Sequence, residues 1–251
     1  MCLALLGTGC GGKKQAKVTP PPPPPMAEPS VAAVPSTIPP TRPQPESPPR
    51  SSERKADAGS PIFIPEGTKP ISVETGKASW YGAPYHNRRS SNGEIYDMHE
   101  FTAAHRTLPL GSTVRVTNLK TGHSTVVRIT DRGPFVEGRI VDLSLAAAKQ
   151  ADVWQAGVAP VRLELLRTPV PLDRGGRWAV QIGSFHQEGE ANTLAKQLTR
   201  RYKTAKVLRF SSPVGDWWVR VRVLQDDRKR AEEIARDTKT SEGKVFIVRL
   251  D

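Results

Sequence analysis

Two aspartates stand where strand-like runs give way to turns. Ser124 to Thr130 carries Val126, Val127 and Ile129, β-branched residues that read as a buried strand. Asp131 and Arg132 follow, and Gly133-Pro134 stops the run, so both side chains sit where the backbone leaves a sheet. Gly138-Arg-Ile-Val-Asp142-Leu-Ser144 repeats the theme: an apolar strand that ends in an acid, with Ser144 as the expected N-cap of a short helix from Leu145 to Gln150. A carboxyl group held this way can give and take protons in a cleft. The competing reading is that both acids are turn or cap residues bonded to backbone. The five histidines, His86, His99, His105, His123 and His186, lack zinc-site spacing, and no phosphate-cradling GxxxxGK[ST] loop occurs, so no metal or cofactor is expected.

The elements that position these acids cannot come from the first third of the chain. Of 24 prolines in 251 residues, fourteen lie between Pro20 and Pro49, in a mix too poor in apolar area to offset chain ordering. The expected division is an anchor over 1–18, a disordered Pro-rich linker over 19–70, one domain over 71–168, a short linker over 169–176 and a second domain over 177–251. Pro20 to Pro25 favours polyproline II at roughly 3.1 Å per residue, so about fifty such residues reach on the order of 150 Å. Both cysteines, Cys2 and Cys10, precede the linker, which leaves the folded part without thiols. Leu3-Ala-Leu-Leu-Gly-Thr-Gly-Cys10-Gly-Gly-Lys-Lys resembles a bacterial lipoprotein signal, which implies lipidation of Cys10. A net charge of +12 calls for an anionic partner, which charge alone does not identify.

From Gly76 onward, short strand-like runs alternate with tight turns: Gly76 to Gly82, Phe101 to His105, a hairpin from Thr113 to Thr130, and Val161 to Leu166. Many short strands with a single helix predict a small β-barrel. The words Ala78-Ser-Trp80-Tyr81-Gly82, Ser91-Asn92-Gly93-Glu94-Ile-Tyr96-Asp97-Met98, Thr102-Ala-Ala-His105-Arg106-Thr-Leu-Pro-Leu-Gly111, Val114-Arg-Val-Thr-Asn118 and Asp131-Arg-Gly-Pro-Phe135, in that order, resemble the rare lipoprotein A (RlpA) family over about Lys77 to Leu166. The resemblance implies a double-psi β-barrel and an endolytic transglycosylase acting on peptidoglycan strands stripped of peptides. It also implies catalytic roles for Asp131, His105 and Glu94, with Tyr81, Asn92, Arg132 and Asp142 in contact with substrate. On that expectation Glu94 raises the Asp131 pKa by like-charge repulsion, and His105 orients the carboxyl or the sugar. Asn87, Ser90-Ser91 and Thr130 depart from common family residues, and none removes an ionisable group.

Past a second short linker, the pattern predicts strands from Trp178, Lys206, Trp217 and Lys244, and helices over Glu188 to Arg201 and Arg228 to Asp237. The order βαββαβ predicts a four-stranded antiparallel sheet backed by two helices. Val180-Gln-Ile-Gly-Ser-Phe185 carries a resemblance to the SPOR domain, which implies binding of denuded septal glycan; Arg222-Val-Leu224 departs from that family's pattern. Strand alternation puts Trp218, Arg220 and Arg222 on one face, with Gln181 a candidate glycan contact beside them, and Trp217, Val219, Val221 and Val223 in the core. The whole is a mainly β plus α+β protein: a double-psi β-barrel, then a small βαββαβ domain. It is expected to be periplasmic, anchored to the outer membrane, enriched at the septum among other division proteins, and bound to denuded glycan rather than nucleic acid. An expansin-like wall-binding protein without catalysis is the alternative; a nucleic-acid binder rests on charge and sheet topology alone.

Overall fold

A computed structural model of the chain describes residues 62, 64, 65, 67–173, 175–203, 206–212, 214–240 and 244–251. Cys10 and nearly all of the expected Pro-rich linker lie outside the described residues. Six strands close into a barrel: β1 (Ser72–Trp80), β2 (Thr102–His105), β3 (Thr113–Asn118), β4 (Ser124–Asp131), β5 (Arg139–Leu143) and β6 (Ala159–Arg167). Around the barrel they run β1-β5-β2-β4-β3-β6, and β6 pairs back onto β1. Two of the pairings, β1 with β5 and β2 with β4, are parallel; the others are antiparallel. This is the double-psi barrel.

The core follows from strand alternation. Val114, Val116, Val127, Ile129, Val141, Leu143, Val161 and Leu165 are sealed from solvent and fill the barrel. The helix α1 (Leu145–Gln150) begins at Ser144, whose hydroxyl accepts from the Ala147 N–H at 3.3 Å. Its Ala147 and Ala148 cover one end of the core. Two sequence expectations need correction. The first strand starts at Ser72 rather than Gly76, because its polar, exposed beginning gains its ladder from β6 and shows no hydrophobic alternation. The strand expected to end in Asp142 runs one residue further, to Leu143.

The second domain is a four-stranded antiparallel sheet of β7 (Trp178–Phe185), β8 (Lys206–Ser211), β9 (Trp217–Arg222) and β10 (Lys244–Arg249), in the order β10-β7-β9-β8. Two helices, α2 (Glu188–Arg201) and α3 (Arg228–Asp237), supply the buried faces Ala191, Leu194, Leu198 and Ala231, Ile234. These meet Val180, Ile182, Val219 and Val221 from the sheet. Asp227 caps α3 by accepting from the Lys229 N–H at 2.8 Å; Glu188 and Glu190 in the first turn of α2, with Arg200 and Arg201 in its last, complement the helix dipole.

Candidate active site

Strand register places the two aspartates. Ala104 of β2 pairs with Asp131 of β4 on one side and with Asp142 of β5 on the other, and Asp142 pairs in turn with Ser79 of β1. A shift of register between Ala103 and Ala104 takes Asp131, rather than Thr130, to the place beside Ala104. Laterally paired residues share a sheet face, so both acids project on the side where Ala104 presents only a methyl group. Two strand spacings, roughly 10 Å, separate the two backbones. Asp131, Ala104 and Asp142 line one cavity of about 670 Å³, with Tyr81, Tyr85 and Arg139 among its other walls.

The acids are held differently. Three donors converge on Asp131 Oδ1: the Ser91 N–H at 3.0 Å, the Ser91 hydroxyl, and the Arg132 N–H at 2.8 Å. Oδ2 is therefore the oxygen open to a substrate. Asp142 accepts from the Ser79 hydroxyl at 2.6 Å and from Arg139 Nη2 at 3.3 Å. Burial pushes the Asp142 carboxyl above its usual pKa, against the opposing pull of Arg139 and Ser79. The Tyr81 hydroxyl, beside that of Thr102, is buried without a well-formed hydrogen bond, and its ring stacks on Tyr96 at 4.4 Å. Burial, and next the Asp131 charge, hold the Tyr81 phenol well above its usual value, so it stays a neutral donor.

Other expected site residues stand apart from this cavity. His105 is 4% exposed: its Nδ1 accepts from the Thr107 and Leu108 N–H groups at 3.2 and 3.0 Å, and its Nε2 reaches Glu74 at 3.3 Å. With Nδ1 an acceptor, the ring proton is assigned to Nε2. Burial lowers the His105 pKa, while the hydrogen bond to Glu74 opposes the shift, and the imidazole is neutral. It orients the turn after β2 through these hydrogen bonds, which go to Thr107, Leu108 and Glu74 and not to Asp131. Glu94 is paired in two-pronged fashion with Arg128, at 2.9 Å for each contact, and this pairing lowers its pKa. The expected repulsion between Glu94 and Asp131 is thus replaced by a local ion pair. Asn92 is a turn residue whose Oδ1 accepts from the Glu94 N–H at 3.0 Å; the turn delivers Ser91 to Asp131. Arg132 bends back from the cavity it borders: its Nη1 donates to the carbonyls of His105 and Leu108 at 3.0 and 2.7 Å, and its Nη2 to that of Asp251 at 2.5 Å.

The remaining three expected residues lie in the second domain. Gln181 and Trp218 are buried, Arg220 is half-buried, and Arg220 Nε donates to Gln181 Oε1 at 2.8 Å. All three line the same cavity as Asp131. Trp218 meets Phe135, just past β4, at 5.2 Å between ring centroids. Gly183 makes this possible: a Cβ there would stand 2.5 Å from the indole. Ser91, Tyr85, Arg139 and Phe135 were not singled out from the sequence. Of these, Ser91 was the most accessible, as a hydroxyl at a strong Asn-Gly turn. Among the described residues, no three His, Cys, Asp or Glu side chains converge as a metal site would require.

The barrel and the sheet domain, with two acids lining one cleft, define a two-domain protein, and comparison with family models matches both parts. Residues 73–163 match the family model described as lytic transglycolase, and residues 175–249 match the SPOR domain. The chain thus joins a lytic transglycolase domain to a SPOR domain. The endolytic peptidoglycan transglycosylase RlpA of Vibrio cholerae is 49% identical over 133 residues, which are 50% of this chain and 51% of that one. Its namesake in Neisseria meningitidis serogroup B is 39% identical over 154 residues, 61% of this chain and 64% of that one. The one in Pseudomonas aeruginosa is 37% identical over 163 residues, 64% of this chain and 48% of that one. The chain thus spans about half to two thirds of the length of the curated relatives it matches.

Proposed function

We propose that the protein is an endolytic lytic transglycosylase that cuts peptide-free peptidoglycan strands between N-acetylmuramic acid and N-acetylglucosamine. The observation that carries this reading is the placement of Asp131 and Asp142 on either side of Ala104 in one cleft, within a barrel that matches the lytic transglycolase family. The reaction starts from Asp131 carrying a proton on Oδ2, which it gives to the glycosidic oxygen as the bond to muramyl C1 breaks. The resulting carboxylate then takes the proton of the muramyl C6 hydroxyl as its oxygen bonds to C1, which closes a 1,6-anhydro ring and leaves the enzyme unchanged. One carboxyl group serves both steps. Asp142, braced by Ser79 and Arg139, binds sugar hydroxyls, and the Tyr81 ring forms part of the wall beside it. His105 and Glu94 act at one remove, by fixing the segments that present Asp131.

The anchor at Cys10, the outer-membrane location, the periplasmic setting and enrichment at the division septum through the SPOR domain belong to the same proposal. The test is digestion of amidase-treated sacculi by wild type and Asp131→Asn, with soluble products identified by mass spectrometry. We expect anhydromuramyl fragments from the wild type, and a rate lower by about 10²- to 10⁴-fold in the variant, the usual contribution of general acid–base catalysis. Sacculi that bind both proteins and yield no fragments would sink the enzymatic reading and leave a wall-binding module.

A further inference from the structure

The cavity around Asp131 is walled by both domains. From the barrel come Tyr81, Asp131 and Asp142; from the sheet come Gln181, Trp218 and Arg220. The junction is built from several kinds of contact. Phe135 lies between Trp218 at 5.2 Å and Phe246 at 5.9 Å, and the Arg106 guanidinium stands 5.4 Å from the Phe246 ring centre. The Asp251 carbonyl accepts from Arg132 Nη2 and from the Leu110 N–H, and the Arg249 N–H donates to the Arg106 carbonyl at 3.0 Å. Backbone bonds of this kind fix the sheet against the turn after β2, close to Asp131.

Arg220 is the cation that this junction carries to the acid. The pairing of β7 with β9 sets it opposite Gln181, whose side-chain oxygen steadies the guanidinium. It lines the same cavity as Asp131, and burial lowers its pKa while the Asp131 charge opposes that shift. A muramyl residue stripped of its peptide exposes a lactyl carboxylate; with the peptide attached, that carboxylate is an amide, neutral and bulky. A guanidinium recognises the first through charge-assisted hydrogen bonds and the second poorly.

We propose that the SPOR domain forms one wall of the catalytic cleft, and that Arg220 holds the lactyl carboxylate of a muramyl residue bound beside Asp131. Selection for peptide-free glycan then happens at the point of cleavage, not only in the delivery of the enzyme. This rests on the function proposed above and adds a substrate-selecting residue to it.

The test uses the full chain and two substrates: amidase-treated sacculi and a short, soluble, peptide-free oligosaccharide. A domain that served only as a tether would matter for sacculi and not for the oligosaccharide. We expect Arg220→Gln to lower kcat/KM on the oligosaccharide by about ten- to a hundredfold, the usual worth of a hydrogen bond to a charged group. Arg220→Lys should recover part of the loss, with the melting temperatures of both variants close to wild type. Loss of sacculus binding with an unchanged kcat/KM on the oligosaccharide would overturn the proposal, as would faster cleavage by Arg220→Gln. If the wild type cuts neither substrate, the functional reading falls, and calorimetric binding of the oligosaccharide decides this one. Weakened binding in both Arg220→Gln and Tyr81→Ala supports a shared cleft; weakening in Arg220→Gln alone refutes it.

Discussion

At the scale of single residues, Ala104 matters for what it lacks. Its methyl group leaves room between the two acids, so Ala104→Leu fills the cleft floor. We expect it to abolish cleavage of denuded glycan while costing about 1–3 kcal/mol of stability in a denaturant titration, the usual price of overpacking. Asp142 gives a prediction of opposite sign. Its folded pKa is raised, so it stabilises the fold fully below the unfolded carboxylate value, and that contribution is lost as pH rises through the folded value. The melting temperature of Asp142→Asn relative to wild type should therefore improve from pH 4 to pH 7, while its activity falls. A difference that stays constant across that range would contradict the burial argument. The aspartates were legible as acids at the ends of β-branched runs. Their separation by a single alanine was not, because it depends on pairing between strands far apart in sequence and on a one-residue shift of register. Glu94 shows the same limit: its partner Arg128 lies 34 positions away, and nothing local announces the pair.

At the scale of elements, the β2 strand and the turn after it depend on a neutral His105. Its pKa is lowered from the ordinary 6.5, so the stability it contributes is present above that value and fades as pH falls toward the folded one. Glu74, with a pKa lowered by the same hydrogen bond, stays charged throughout that range and loses its contribution only below the ordinary 4.5. Thermal unfolding of the wild type should therefore shift to lower temperature between pH 7.5 and 5.5. His105→Gln, less stable by about 1–3 kcal/mol for the broken hydrogen bonds, should show a flatter profile over that window. In the second domain, Gly183→Ala would drive a Cβ into the Trp218 ring. We expect weaker retention on denuded sacculi together with a shift in tryptophan fluorescence, and an unmoved spectrum would refute the close approach. The helices and the hairpin were plain in the sequence, because their periodicity is local. The start of β1 was hidden, because a polar strand held only by main-chain bonds leaves no pattern of side chains.

At the scale of the molecule, a charge of +12 suits the polyanion that the proposed function gives the chain as substrate. Binding to denuded sacculi should weaken as salt is raised, because exposed charges are screened beyond about 10 Å at 0.1 M ionic strength. The half-buried Arg220 should lose less of its contribution than exposed arginines do, a difference that salt titrations of single-arginine variants measure. The sequence announced a barrel followed by a small sheet domain, and strand alternation put Trp218 and Arg220 on one face of β9. That this face looks into the barrel's cleft had no signature, because it depends on Phe135 and Asp251 meeting residues 83 and 119 positions away.

The grip of Arg132 on the Asp251 carbonyl has a consequence for how such proteins arise by recombination. A glycan-binding module is ordinarily an exchangeable cassette, moved between enzymes with its linker. Here Arg132, next to Asp131, spends part of its guanidinium on the end of the second domain's last strand. A transplanted module with equal affinity for glycan, but without that carbonyl or an aromatic ring for Phe135, would leave the cleft open on one side.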